Sequence, residues 1–317
     1  MTPRQGPRPT GRRAVLGVAL ALPLACPSIA RAQAPPLLSL IVGNAPGRGA
    51  DPSARAFAPY LERHLRNVRV AVLNRPGAAG LAALTLLADA DPAGLTLGWV
   101  ASPVLPARLV DAAPPASTPD LLARLRLAGA IQAEPLLLVA PPGTRPATLP
   151  DLLRRVAHNP ACKALATPPE GSPAHLAALR LQAREATSLN IVAFPSAAAA
   201  RQATESGHAA AALLPLADIH ESLAHATLAT IPDPAAPTLL RGLALPAAAP
   251  DSRTDALATA LRAIASDPEF IAAAAESGFH PAFLPGPAWT THMRAEHAAL
   301  AELWRLTPWT PPATLAG

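Results

Sequence analysis

Residues 37–65 read LLSLIVGNAPGRGADPSARAFAPYLERHL: an apolar, β-capable run from Leu37 to Val42, a tight loop from Gly43 to Asp51 holding three glycines, and a helical pattern that begins near Pro52. Strand, glycine turn and helix in that order suit an anion. Glycine permits φ > 0 and close approach of a ligand to the main chain, while the helix turns free N–H groups and its positive dipole end into the same space. Asp51 ahead of Pro52 reads as an N-cap followed by an N1 proline, so its side chain is expected to cap the helix rather than touch a ligand. No lysine follows the glycines, which excludes the lysine-containing phosphate loop. Gly47 and Gly49 lead to Pro52 and not to a third glycine, which excludes the dinucleotide fingerprint.

Upstream, residues 1–32 read as an export signal: a basic, acid-free start, an apolar stretch from Ala14 to Ala25, and an Ala30-Arg31-Ala32 ending that places cleavage before Gln33. The apolar stretch is too short to span a bilayer. Arg12-Arg13 leaves both the general and the twin-arginine export routes open. Cys26 lacks the aliphatic residue three places earlier that lipidated cysteines have, so it reads as incidental to a removed segment. The chain holds 26 basic and 21 acidic side chains, and setting aside the five arginines of residues 1–32 leaves 21 against 21. A neutral mature protein gives no argument for nucleic acid or an acidic membrane surface. Cys162 is the one cysteine left, which excludes an intrachain disulfide or a cysteine metal cluster. The expected product lies outside the cytoplasm, without cofactor or metal.

Downstream, the pattern alternates. Strands are expected at Val68–Leu73, Leu95–Val100, Ala164–Thr167, Leu189–Phe194, Ala209–Leu214 and Arg241–Leu245, with helices at Leu81–Ala90, Pro150–His158, Pro173–Arg184 and Ala197–Ser206. Leu127–Ala140 is apolar but broken by Glu134-Pro135 and reads as two strands, and the tail is helical over Thr254–Ala265, Pro268–Ser277 and Pro287–Arg305. Short apolar runs alternating with helices predict βαβ units and parallel sheets, whose loops at the C-terminal strand ends bind ligands. Two α/β lobes joined by crossing strands account for the pattern, with a ligand in the cleft between them. The boundaries place lobe 1 at 33–134 plus 243–317 and lobe 2 at 135–242.

A second glycine turn, Asn74-Arg75-Pro76-Gly77-Ala78-Ala79-Gly80, lies beyond the second expected strand. With Pro46-Gly47-Arg48-Gly49-Ala50-Asp51, Asp91-Pro92-Ala93-Gly94-Leu95-Thr96-Leu97, the loop Thr167–Leu176, and the tail pair Asp267-Pro268-Glu269 and Ser277-Gly278-Phe279, the chain resembles the Bug family, the periplasmic substrate-binding proteins of tripartite tricarboxylate transporters. The resemblance implies a type II periplasmic-binding-protein fold whose two α/β lobes close over a small organic carboxylate. It implies membrane transporter subunits as partners, no nucleic acid, and a monomer. Carried over by position, the ligand-binding residues are Asn44, Ala45, Gly47, Arg48, Gly49, Ala78, Thr167, Gly171 and Ser172. Arg48 stands where the family usually keeps glycine, and its side chain turns either inward to a carboxylate or outward to solvent. The family's VPYKG becomes Val192-Ala193-Phe194-Pro195-Ser196, and Ala210 replaces a frequent aspartate, so the second lobe offers fewer polar side chains than the family pattern.

Ser172 and His175 stand one helical turn apart, but the serine is expected to cap its helix and no nucleophile elbow is present. The pairs His220/His225 and His292/His297 are spaced five apart and do not share a helix face. Trp289, Trp304 and Trp309 read as packing anchors. An enzyme on this plan needs titratable groups converging on the loops, and here the loops offer amides, hydroxyls and Arg48. The sequence therefore favours a binding protein over an exported enzyme. A stand-alone receptor without a transporter remains the other binding-protein reading.

Overall fold

The computed structural model describes residues 1–2, 35–77, 80–111, 121–144, 146, 148–157 and 163–309. Nearly all of the expected export segment, Ala78 and Cys162 lie outside them. Alternation decides the first strand. Leu38, Leu40 and Val42 of β1 (Leu37–Val42) share one buried face. Helix α1 (Asp51–Leu65) covers that face with Ala54, Phe57, Ala58 and Leu61, spaced i, i+3, i+4 and i+7. Phe57 stacks on Trp99 with ring centroids 4.9 Å apart and meets Phe270 edge-on.

β1 pairs in parallel with β2 (Arg69–Asn74) on one side and β3 (Thr96–Ser102) on the other, and α2 (Leu81–Ala88) and α3 (Val104–Asp111) pack Leu84, Leu87 and Leu105 on the opposite face. The second half of the molecule holds α4 (Leu149–Arg155), β5 (Leu165–Thr167), α5 (Pro173–Arg184), β6 (Ile191–Ala193), α6 (Ala197–Glu205), β7 (Ala211–Pro215), α7 (His220–Ala224) and β8 (Ala229–Ile231). β5 runs parallel to β6 and β7. The last third returns to the first half with β9 (Thr238–Pro246), α8 (Asp251–Ala265), α9 (Pro268–Glu276), β10 (His280–Pro285) and α10 (Gly286–Leu306).

The two halves share β4 (Leu125–Ala140) in one sheet of order β2-β1-β3-β9-β4-β7-β5-β6, with β10 and β8 also pairing to β4. Residues Leu125 to Pro135 of β4 pair with β9, and Leu136 to Val139 pair with β7. The expected break at Glu134-Pro135 is therefore a change of partner inside one continuous strand. Pro135 lacks an N–H, but the ladder resumes at once through Leu136 N–H to the Pro237 carbonyl, 3.1 Å. Four elements were not expected from the sequence: α3, α7, β8 and β10. Pro106 in the first turn of α3 hides a helix that tolerates it there, and Pro281 and Pro285 disguise β10 as a turn.

Candidate functional site

The loop after β1 is held from within. Gly47 (φ +72°) and Gly49 (φ +56°) adopt the left-handed conformation that glycine permits. At Gly49 a Cβ would stand 2.5 Å from Asn44 Nδ2, so the bare glycine is what lets Asn44 fold over the loop and accept from the Ala50 N–H at 3.1 Å. Asp51, expected as the N-cap, is the first helical residue, preceded by Ala50, and is 1% exposed. Its carboxylate turns back into the loop: Gly47 N–H donates to Oδ2 at 2.7 Å, Arg55 Nε to Oδ2 at 3.0 Å, and Asn74 Nδ2 to Oδ1 at 2.7 Å. Asn74 Nδ2 also donates to the Asn44 carbonyl at 2.8 Å, and Arg55 Nη2 to Asn74 Oδ1 at 2.7 Å. The second glycine turn lies alongside, since a Cβ on Gly43 would come within 2.9 Å of Gly80 Cα.

These bonds decide which amides are left unengaged. Those of Gly47, Arg48, Ala50 and Asp51 are engaged inside the loop, whereas the amides of Ala45 and Gly49 have no partner among the described residues. Arg48 is exposed, and its guanidinium has no ion pair among the described residues.

The second loop follows β5. Thr167 is fully buried and its hydroxyl has no partner among the described residues, while its carbonyl accepts from Phe194 N–H at 2.8 Å. Gly171 sits at φ +70°. Ser172 caps α5 as expected, its hydroxyl oxygen accepting from the His175 N–H at 3.3 Å. The His175 ring is turned elsewhere and accepts from Gly171 N–H through Nδ1, 3.3 Å. Burial holds its pKa below the ordinary imidazole value, with Glu170 opposing, so the ring is neutral at pH 7 and serves the loop as an acceptor. Residues that sequence reasoning missed support this loop: Arg108 Nη2 donates to the Gly171 carbonyl at 3.2 Å and pairs with Asp111 at 2.6 Å. Their long-range partners carry no local signature.

Register brings the ends of the two parallel strand sets to one place. β3 ends at Ser102 beside Leu240, which pairs with Ala133, and β7 ends at Pro215 beside Leu136. The C-terminal ends of both parallel strand sets thus converge on the crossing near Glu134 and Pro135, which is where open α/β sheets take ligands. Asn44, Ala45, Gly47, Arg48 and Gly49 lie in the loop that leaves β1, and Thr167 ends β5 with Gly171 and Ser172 in the loop that follows it; Ala78 lies outside the described residues. Two surface cavities of about 230 and 240 Å³ lie in the second half, one over Leu136, Leu181 and Leu213, the other beside Arg201, Asp218 and His220. None of the nominated residues lines them.

Two α/β halves joined by crossing strands define a two-lobed protein of the type II periplasmic-binding fold. A TctC solute binding protein from Polaromonas, without ligand, has this fold at TM-score 0.70 and 20% identity, over 85% of this chain and 98% of that one. So do a protein of R. palustris with adipate (TM-score 0.68, 16% identity, 85% and 96% covered) and MatC from Rhodopseudomonas palustris with bound malate (0.66, 16%, 84% and 98%). No curated protein matches the chain. Residues 54–229 match the tripartite tricarboxylate transporter family receptor, TctC, and the chain belongs to that family.

Proposed function

We propose that this protein is a periplasmic solute-binding receptor, exported through residues 1–32, that captures a small organic carboxylate between its lobes and delivers it to the membrane subunits of a tripartite tricarboxylate-type transporter. Lobe 1 comprises 33–134 plus 243–317 and lobe 2 comprises 135–242; the protein works as a monomer and does not turn its ligand over. The observation that carries this reading is that the Ala45 and Gly49 amides, in the loop that holds Arg48, have no partner among the described residues, in a loop that leaves a parallel strand ahead of a helix as the Gly171-Ser172 loop does in the other half. Such amides next to a helix N-terminus favour a carboxylate. The adipate and malate held by two relatives support a dicarboxylate as the first ligand to try.

The test is a thermal-shift and calorimetric series with malate, adipate, tricarboxylates and monocarboxylates. A true ligand at 100 times its dissociation constant raises stability by about 2.7 kcal/mol and is recovered unchanged. Recovery of a chemically altered product, or no stabilisation by any carboxylate, ends the receptor reading. Arg48→Gly, measured alongside, is expected to weaken the best ligand at least tenfold, about 1.4 kcal/mol, because the guanidinium, which has no ion pair among the described residues, belongs to the same loop as those amides.

A further inference from the structure

The junction between the halves is sealed on one side. There α3 and α10 meet α5 through an apolar cluster of Ala107, Leu176, Leu179, Leu300, Leu303 and Trp309. Ala107, Leu176 and Leu300 have no exposed surface. Arg180 and Glu296 add a two-pronged ion pair between α5 and α10, at 3.0 and 3.2 Å. Arg108 enters this cluster from α3 with its side chain 10% exposed, and Asp111 follows one turn later at 5%.

The polar contacts form a chain. Trp309 Nε1–H donates to Asp111 Oδ2 at 2.7 Å, Asp111 Oδ2 pairs with Arg108 Nη2 at 2.6 Å, and the same Nη2 donates to the Gly171 carbonyl at 3.2 Å. Each link orients the next, and a charge-assisted bond to a backbone carbonyl is stronger than a neutral one. The space is matched as closely as the charge. A Cβ on Gly171 would stand 2.3 Å from Arg108 Nη2 and 3.3 Å from Trp309 Cδ1, so the guanidinium and indole occupy the volume that any side chain there would need. On its other side the Gly171 peptide is held through its N–H by His175.

We propose that Arg108, oriented by Asp111 and by Trp309 of the C-terminal segment, is the positioning residue for the second-lobe ligand loop, holding the Gly171 peptide so that residues 167–172 have their ligand-gripping shape before any ligand arrives. The proposal rests on the reading that this loop grips a carboxylate. It also links the two loops. α3 follows directly on β3, which is hydrogen-bonded to β1, so the second loop is held by the same strands that carry the first glycine loop. The separation of the two loops is then set by the first half of the molecule and by the tail.

Hydrogen exchange of the full chain tests the holding, and calorimetry with malate and adipate tests its consequence. The amides of Gly171 and Ser172 are both bonded, the latter to the Pro169 carbonyl at 3.0 Å, so their exchange is slow enough to read. Arg108→Gln is expected to speed exchange at Gly171 and Ser172 at least tenfold, leave the amides of β1 and α1 unchanged, and weaken the bound carboxylate at least tenfold. Trp309→Phe keeps an aromatic ring in the cluster but removes the donor to Asp111. It should shift both readouts the same way by a smaller factor, and it carries the test if Arg108→Gln fails to fold. Unchanged exchange at Gly171 and Ser172 overturns the proposal, and so does faster exchange with unaltered affinity. A wild-type protein that binds neither malate nor adipate counts against the carboxylate reading, and the exchange of residues 171 and 172 then decides the holding role by itself.

Discussion

At Asp51, burial alone would raise the carboxyl, but the hydrogen bonds from Arg55, Gly47 and Asn74 outweigh it and lower its pKa from 3.8 to about 2. A carboxyl depressed in the folded state contributes stability that is complete above its unfolded value and lost as pH falls through the folded one. The window here runs from 3.8 down to about 2. With the Arg55 side chain half exposed and screened, the contribution is about 1–2 kcal/mol. Asp51→Asn should lower stability by that amount at pH 7 and flatten the acid limb of a urea-unfolding series. An acid limb identical to wild type would show that the carboxylate is not what secures the loop. The glycine loop itself was legible because positive φ and a following helix are local properties. The role of Asp51 was not, since Asn74 lies 23 residues away and a strand intervenes. A local reading sees only a capping residue before a proline.

Elements followed the same division. α5 has the bounds and the Ser172 cap expected from sequence, and α1 begins within a residue of its expected start, because caps, prolines and apolar spacing are all written locally. What the pattern hid was pairing. β4 and β9 approach so closely at their bulged register that a Cβ on Gly242 would stand 2.1 Å from the Gly129 carbonyl oxygen and 2.6 Å from Ala130 Cα. Both obstacles are backbone, so neither can swing aside. Gly242→Ala is expected to destabilise by about 1–3 kcal/mol or more, as overpacking does. Gly143→Ala, with open space around it and an ordinary φ, should be neutral or stabilising by up to about 1 kcal/mol. Equal effects of the two substitutions on the urea midpoint would mean that the crossing strands are not in tight contact.

For the whole molecule, one buried side chain ties the two lobes at the crossing itself. Glu134 is 1% exposed and lies one residue before the point where β4 changes partner. One carboxylate oxygen accepts from Ala217 N–H in the second lobe at 3.0 Å, and the other pairs with Arg241 of β9, whose side chain is 13% exposed. The main apolar clusters of the two halves are separate at the crossing, so there this pair and the shared strands link them, while the α3–α5–α10 cluster links them on one side. The sequence showed a Glu-Pro interruption but not its charge partner 107 residues away. Glu134→Gln keeps the shape and the acceptor for Ala217 but leaves the Arg241 charge buried without its carboxylate. Losing one partner of a buried pair costs about 3–5 kcal/mol, and Asp218, close enough to feel Arg241, holds the value toward the lower end. Glu134→Gln combined with Arg241→Met removes the stranded charge and should recover most of the loss, since an apolar replacement of a buried pair is often neutral. Urea unfolding of the two single variants and the double variant completes the cycle. A single-variant loss below about 1 kcal/mol, the range of an exposed pair, would mean that this pair does not help to join the lobes at the crossing.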